Sequence, residues 1–89
     1  MDVPSPDLNQ SGVQFVLTDL AVALTLLDVA ATSTVPDTMT RNYENARHAY
    51  YTVLRHLQHL TPDTQQQKEI DRRLLLVKQG LQAAGIVIA

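Results

Sequence analysis

Apolar side chains recur at helical spacing in three segments of the chain, residues 12–32, 36–60 and 62–84. In each segment they stand three and four positions apart, which places them on one face of an α-helix. Polar stretches that contain Pro36 and Pro62 separate the segments, and proline is favoured in the first turn of a helix because its missing N–H is not needed there. The pattern therefore predicts an all-α chain of three helices.

The clearest heptad pattern belongs to the second segment. Its apolar positions alternate four and three apart: Met39, Tyr43, Ala46, Tyr50, Val53, Leu57 and Leu60. The third segment repeats this spacing with Ile70, Leu74, Val77, Leu81 and Ala84. Such an alternation is the packing stripe of left-handed helix bundles. Because connections of only a few residues make consecutive helices antiparallel, we expect an antiparallel up-down-up three-helix bundle.

The two ends of the chain carry weaker signals. Residues 1–10 contain two prolines and no apolar periodicity, which predicts a flexible N-terminal tail ahead of a single domain over residues 11–89. Near the other end, Gly85 followed by Ile86 is typical of a helix that stops at a left-handed glycine, after which the next apolar side chain folds back. We therefore expect the apolar residues after Gly85 to pack on a surface.

The first segment has more apolar circumference than one bundle core covers. Its best core stripe consists of Val16, Leu17, Leu20, Ala23, Leu24, Leu27 and Ala31. Apolar residues off the core stripes are Phe15, Val22, Leu26, Val29 and Ala30, with Leu75 and Leu76 on the third helix. Soluble monomers rarely leave so large an apolar patch in water, so we expect a homodimer formed through the first helix. The alternative is that the tail from Ile86 to Ile88 covers the first helix within the same chain.

The same segment looks hydrophobic enough to be tested for export or membrane insertion. No lysine or arginine precedes residue 12, whereas a signal peptide starts with positive charge. Asp19 and Asp28 interrupt the apolar run, and each carboxylate costs about 2.5–3.5 kcal/mol near the centre of a bilayer. We therefore expect no membrane association and a cytoplasmic protein.

Composition and charge narrow the chemistry further. Apolar residues make up 45% of the chain and aromatic residues only 4%, so aliphatic side chains have to fill the core. The absence of cysteine excludes disulfides, thiolate metal sites and a cysteine nucleophile. Residues 1–40 carry five acidic and no basic residues, whereas residues 41–89 carry seven basic and four acidic ones. The two parts are complementary in charge, and surface pairs between them contribute about 0–1 kcal/mol each.

No sequence motif for catalysis or for metal or cofactor binding stands out. His56 and His59 lie three apart on the second helix, with His48 two turns earlier, but zinc takes three or four ligands and no HExxH pattern occurs. The serines stand in the predicted tail or at helix ends, outside any nucleophile motif. We therefore expect no enzyme activity, no metal and no cofactor.

The second helix contains the residues most typical of an interaction surface, since tyrosine and arginine are enriched where proteins meet. Tyr43 and Tyr50 belong to the core stripe, which leaves Arg47, Tyr51 and Leu54 on one flank. The whole candidate partner surface comprises Arg47, Tyr51, Leu54, Val22, Leu26, Val29 and Leu75. The alternative function is a small nucleic-acid-binding or regulatory adaptor that uses the second helix. Nucleic acid is the less favoured partner, because acidic residues interleave the basic ones and break up any cationic stripe.

One stretch of the second helix resembles a group of short, uncharacterised bacterial helical proteins of the acidobacterial type. Their shared core, N-A-R-x-A-Y-x-T-V-L-R, corresponds here to Asn45-Ala46-Arg47-His48-Ala49-Tyr50-Tyr51-Thr52-Val53-Leu54-Arg55. The resemblance implies a compact helical protein and supplies no catalytic residue. Around Ala46, Tyr50 and Pro62 the chain is also similar, more weakly, to a tetratricopeptide helix pair. Together these features predict a small helical interaction or structural module that self-associates.

Overall fold

The computed structural model describes residues 6–88, and these residues form the predicted all-α three-helix bundle. α1 spans Pro6–Thr32, α2 spans Pro36–Leu57 and α3 spans Thr64–Ala83. α1 packs against both other helices, most extensively against α2, whereas α2 and α3 contact each other least. The bundle measures 45 × 20 × 18 Å, and its length is close to that of the 27-residue α1 at about 1.5 Å per residue. α1 is therefore the central helix of an elongated molecule.

α1 begins at Pro6, six residues before its predicted start, so residues 6–10 are helical and not part of a flexible tail. Residues 1–5 lie outside the described residues. Pro6 fits the first helical position, and Asp7 places negative charge near the positive end of the helix. Asn9 joins this turn to the α2–α3 connection: its Nδ2 donates to the Thr61 carbonyl oxygen (3.2 Å), and its Oδ1 accepts from the Thr61 backbone N–H (2.8 Å). Local periodicity cannot predict a contact between residues that lie 52 positions apart in the chain.

Deletion of residues 1–10, which local periodicity predicts to be harmless, is expected to lower the melting temperature. It removes the first turn of α1 and the hydrogen bonds between Asn9 and Thr61, each worth about 0.5–1.5 kcal/mol. In a domain of this size each kcal/mol lost from the free energy of unfolding lowers the melting temperature by about 4–8 °C. Thermal melts followed by circular dichroism compare the full chain with a chain that starts at Ser11 and with Asn9→Ala. Melting midpoints within about 2 °C of the full chain for both variants would show that the Asn9 contact stabilises nothing.

α2 ends at Leu57, three residues before its predicted end. Residues 58–60 continue as a tighter turn, in which the Leu60 N–H donates to the Leu57 carbonyl oxygen (3.3 Å). The physical reason is Pro62, which lacks an N–H and disfavours helical conformation in the residue before it. The helix is shorter, but Leu57 and Leu60 still pack on the core as half-buried side chains.

α3 begins at Thr64, two residues after its predicted start, because Asp63 caps it instead of Thr61. The Asp63 Oδ1 accepts from the Gln66 backbone N–H (2.7 Å), and the Gln66 Oε1 accepts from the Asp63 backbone N–H (2.9 Å). This reciprocal pair is a capping box, which satisfies two helix-end donors at once. A carboxylate next to the positive helix end is also favoured electrostatically.

The end of α3 confirms the glycine stop signal. Gly85 has a positive φ of 79°, a conformation that other residues adopt with strain. The Ile86 N–H donates to the Leu81 carbonyl oxygen (3.0 Å) and the Gly85 N–H to that of Gln82 (2.9 Å), the two bonds of a Schellman motif. Ile86 then folds back and packs against the core.

Core positions inferred from spacing are mostly confirmed. Buried as predicted are Val16, Leu20, Ala23, Leu27, Ala46, Tyr50, Val53, Ile70, Val77 and Leu81. Val13, Ala30 and Ala49 are also buried, whereas Ala31 and Ala84 are exposed. The predicted places of Ala30 and Ala31 are thus reversed, because the buried stripe keeps an unbroken alternation of three and four through residues 13, 16, 20, 23, 27 and 30.

α3 runs in the same direction as α1, as contacts at two levels show. The Arg73 Nη1 donates to the Leu17 carbonyl oxygen (2.7 Å), and Gly80 lies further along, against Leu27. A Cβ at Gly80 would approach the Leu27 Cδ1 to 2.8 Å, so glycine permits the close approach of the two helices. This parallel pair, with α2 antiparallel between them in sequence, is the predicted up-down-up order.

Glu69 holds the Arg73 side chain in place for its bond to α1. The Arg73 Nε donates to the Glu69 Oε2 (2.6 Å), and Arg72 donates to both carboxylate oxygens of Glu69 (3.0 and 2.7 Å). Hydrogen bonds from Arg72 and then Arg73 lower the pKa of Glu69 to about 2. The carboxylate is therefore ionised at ordinary pH, and the link from α3 to α1 persists there.

Among the described helices, α1 alone is long and apolar enough to cross a membrane, judged by length and composition only. The core helix of a soluble protein passes the same test. In this fold six α1 side chains are buried in the bundle core. The remaining apolar side chains of α1 are half-buried at its flanks or lie on its outer face.

Candidate interaction surface

The outer face of α1 carries a second heptad pattern, separate from its core stripe. Eight residues follow one another three and four positions apart, all exposed and none charged: Leu8, Ser11, Phe15, Thr18, Val22, Thr25, Val29 and Thr32. We call these eight residues the α1 seam. A sustained alternation of three and four keeps one stripe of a helix against a neighbouring helix in a left-handed pair. The α1 seam therefore has the periodicity of a helix-packing surface, and its residues stay exposed in the described bundle.

The α1 seam consists of two parallel rows. Every seventh residue is large and apolar: Leu8, Phe15, Val22 and Val29. The exposed fractions of Phe15, Val22 and Val29 are 46%, 48% and 43%. The second row is made of one serine and three threonines: Ser11, Thr18, Thr25 and Thr32. Large and small side chains thus alternate along the seam.

Two threonine hydroxyls of the second row are bonded to their own helix. The Thr25 Oγ1 donates to the Ala21 carbonyl oxygen (3.2 Å), and the Thr32 Oγ1 donates to the Asp28 carbonyl oxygen (2.9 Å). Threonine often makes this bond to the preceding turn. Because each hydroxyl has an acceptor, a neighbour can cover these threonines without leaving an unpaired donor. The methyl groups then supply apolar contact.

The α1 residues of the predicted surface divide into two groups. Val22 and Val29 belong to the α1 seam and are exposed as expected. Leu26 does not, because its side chain is half-buried and packs against the bundle core. Leu75, with an exposed fraction of 54%, lies on α3 beside the exposed Leu76. The structure thus reduces the predicted α1 surface to one exposed stripe and leaves Leu75 on a different helix.

The C-terminal tail does not cover the α1 seam in the described part of the chain. Ile86 and Ile88 pack as half-buried residues against the core cluster, and Val87 points into solvent with an exposed fraction of 80%. Phe15 and Val22 remain exposed with the tail in this position. The intramolecular cover considered for the first helix is therefore absent from residues 6–88.

The predicted flank of α2 is occupied by contacts within the chain. The Arg47 guanidinium lies 5.9 Å from the centre of the Tyr51 ring, and its Nη1 is 3.7 Å from a Glu44 carboxylate oxygen. Tyr51 also meets Tyr50 edge to face, with 5.6 Å between ring centres, and packs on the core. Arg47, Tyr51, Glu44 and His48 line a cavity of about 160 Å³. Of the three residues proposed for this flank, Leu54 is exposed, whereas Arg47 and Tyr51 are half-buried.

A second cavity lies at the carboxyl end of α2. Its volume is about 290 Å³, and Arg55, His56 and His59 line it. The His56 ring is held edge to face against Phe15 of the α1 seam, with 5.0 Å between ring centres. Residues 6–88 contain no group of three or more histidine and acidic side chains placed to hold a metal ion. From residues 6–88, the cavity lining consists of one guanidinium and two imidazole side chains.

Sequence reasoning identified three of the eight residues of the α1 seam, Phe15, Val22 and Val29, and missed the other five. Leu8 lies in the segment predicted as a tail, and Ser11, Thr18, Thr25 and Thr32 are polar, so a search for surplus apolar residues passes over them. The missed signal is the unbroken spacing of three and four from Leu8 to Thr32 together with the absence of charge at every one of these positions.

Nothing tests the resemblances that the sequence suggests. The bacterial and tetratricopeptide resemblances therefore stay predictions, and the α1 seam is defined by geometry alone. Comparisons with protein-family models, with curated protein sequences and with solved structures found no match for this chain.

Proposed function

We propose that this protein is a non-catalytic, self-associating helical module and that a second copy of the chain packs on the α1 seam. The observation that carries the proposal is the seam itself, which repeats a helix-packing pattern over the length of α1 on the side away from the bundle core. Surfaces of this kind on soluble proteins mark interaction sites.

The α1 seam is complementary to itself in an antiparallel arrangement. With a two-fold axis near residue 20, each contact layer pairs one large side chain with one serine or threonine of the other copy. The layers are Leu8 with Thr32, Ser11 with Val29, Phe15 with Thr25, and Thr18 with Val22. Cores pack best when large and small residues alternate across facing positions. The second copy therefore presents the surface that the seam requires.

A parallel arrangement fits less well. It pairs each seam residue with its own copy, so that Phe15 meets Phe15 and Thr18 meets Thr18. Crowded layers would then alternate with loosely filled ones. Uneven layers of this kind cost packing energy through both strain and cavities. The self-complementarity of the seam thus favours the antiparallel dimer.

Charge is compatible with this arrangement and counts against nucleic acid. On α1 itself the only charged residues beside the seam are acidic, since residues 1–40 contain no lysine or arginine. Exposed like charges cost about 0–1 kcal/mol each, and salt screens them. Arg47, Arg72 and Arg73 are paired with glutamates of their own helices. Added salt is therefore expected to leave the dimer intact, whereas a nucleic-acid complex weakens steeply.

Spin-label distances test the antiparallel dimer. The chain contains no cysteine, so one introduced cysteine is labelled uniquely. Ala21 and Ala31 are exposed α1 residues outside the seam. With the axis near residue 20, labels at Ala21→Cys lie close together, whereas labels at Ala31→Cys are separated by about 33 Å along the helix, at 1.5 Å per residue. Equal distances at both sites would exclude the antiparallel arrangement, and no dipolar coupling at either site would exclude self-association.

A further inference from the structure

The cavity at the carboxyl end of α2 differs from other polar regions of the bundle in its lining. Arg55, His56 and His59 contribute guanidinium and imidazole groups, and no carboxylate from residues 6–88 lines the cavity. Elsewhere among residues 6–88, Arg47, Arg72 and Arg73 are each paired with a glutamate. The Arg55 side chain makes a single long bond, from Nη2 to the Thr52 Oγ1 (3.4 Å). Its donors are therefore available to a ligand.

The donor set matches an oxyanion in chemistry. A guanidinium presents a planar fork of N–H groups that suits the paired oxygens of a phosphate group. Imidazole rings add further N–H donors, and the Phe15 contact fixes the position of the His56 ring. At about 290 Å³ the cavity stands at the lower limit of ligand pockets, which run from about 300 to 1,000 Å³. This volume is large enough for a small anion.

A metal ion is the competing ligand, and the same geometry disfavours it. Only two imidazoles line the cavity, whereas zinc takes three or four protein ligands in most sites. The cation Arg55 stands beside them and repels a second positive charge. The carboxylate closest in sequence, Asp63, is bonded to the Gln66 backbone N–H as the cap of α3.

The dipole of α2 opposes anion binding at this site. The carboxyl end of α2 carries a partial negative charge of about half an elementary charge. The full positive charge of the Arg55 guanidinium exceeds this partial charge. Binding therefore depends on Arg55 more than on either histidine.

We infer that Arg55, His56 and His59 form a binding site for a small anion that carries a phosphate group. The ligand is either free in solution or the headgroup of a lipid, since the three side chains recognise the phosphate oxygens and not the rest of the molecule. The site lies beside the α1 seam and shares the Phe15–His56 contact with it, while its three lining residues all belong to one chain and lie at one end of α2.

Nuclear magnetic resonance on the full chain tests the site with inorganic phosphate at constant ionic strength. The His56 and His59 ring signals are expected to shift and to saturate, and Arg55→Gln is expected to weaken binding about tenfold or more, the loss of a charge-assisted hydrogen bond. Arg41→Gln is the matched control, because Arg41 is an exposed arginine at the opposite end of α2. This variant should leave the phosphate affinity within about twofold of the native value.

Several outcomes would overturn the inference. One is a shift that chloride reproduces at the same ionic strength, and another is equal weakening by Arg55→Gln and Arg41→Gln. Saturation by zinc in place of phosphate would also overturn it. Binding to vesicles that contain phosphatidate, compared with binding to vesicles of phosphatidylcholine alone, separates a lipid headgroup from a free phosphate. Vesicle binding that depends on Arg55, without a response to inorganic phosphate, assigns the site to a lipid headgroup. Repeating the titration on Val22→Glu separates this result from self-association.

Discussion

Replacing Leu20 by alanine is expected to remove about 2–5 kcal/mol from the free energy of unfolding. Leu20 is fully buried at the middle of α1, the helix that both others pack against. The whole chain has a stability of about 4–13 kcal/mol, at 0.05–0.15 kcal/mol per residue, so this one side chain accounts for a large fraction of it. Urea unfolding followed by circular dichroism measures the change.

The matched control for Leu20→Ala is Leu75→Ala, the same substitution at a helix position with an exposed fraction of 54%. Its expected cost is within about 0.5 kcal/mol, as for most surface substitutions. Leu57→Ala, at a half-buried position near the end of α2, is expected to fall between the two. Equal unfolding midpoints for the Leu20 and Leu75 variants would mean that α1 does not turn Leu20 toward the core.

Replacing Val22 by glutamate is expected to weaken self-association by about a hundredfold or more. Val22 lies two residues from the proposed two-fold axis, so the dimer would cover two new carboxylates without partners. Leaving a charge unpaired in an interface costs about 2–5 kcal/mol, and each 1.4 kcal/mol is tenfold in affinity. In the monomer Val22 has an exposed fraction of 48%, and glutamate is a good helix former there. Folding is therefore expected to be unaffected.

Val87→Glu is the control for Val22→Glu, since it makes the same change at an exposed position outside the α1 seam. Sedimentation velocity over a range of concentrations gives the dissociation constant of each variant. We expect Val87→Glu to behave like the native chain and Val22→Glu to stay monomeric. If both variants weaken the dimer equally, the added negative charge acts through the whole molecule and the seam is not the interface.

The fold follows from the sequence because its main determinants are local. The alternation of four and three in α2 and α3 predicts their buried faces, and Pro36 and Gly85 mark where helices start and stop. The helix ends that differ depend on distant or competing contacts. Asn9 reaches Thr61 across 52 residues, and Asp63 competes with Thr61 for the cap of α3. Local periodicity predicts neither the Asn9 contact nor the choice of Asp63 as the cap.

The α1 seam is only partly readable from the sequence. Phe15, Val22 and Val29 stand out as surplus apolar residues, because a single bundle core does not cover the whole circumference of a helix. Thr25 and Thr32 count as polar in any sequence pattern, and only the structure shows that their hydroxyls bond to the preceding turn. The half-buried position of Leu26 likewise depends on where the other helices lie.

The mass of the native chain in solution tests the central proposal most directly. Sedimentation equilibrium at increasing concentration is expected to approach twice the 9.9 kDa of one chain. A small interface gives weak association, so the range should extend from about 10 µM to 1 mM. A mass that rises with concentration to that of two chains supports a second copy on the α1 seam. A mass of one chain throughout would contradict it.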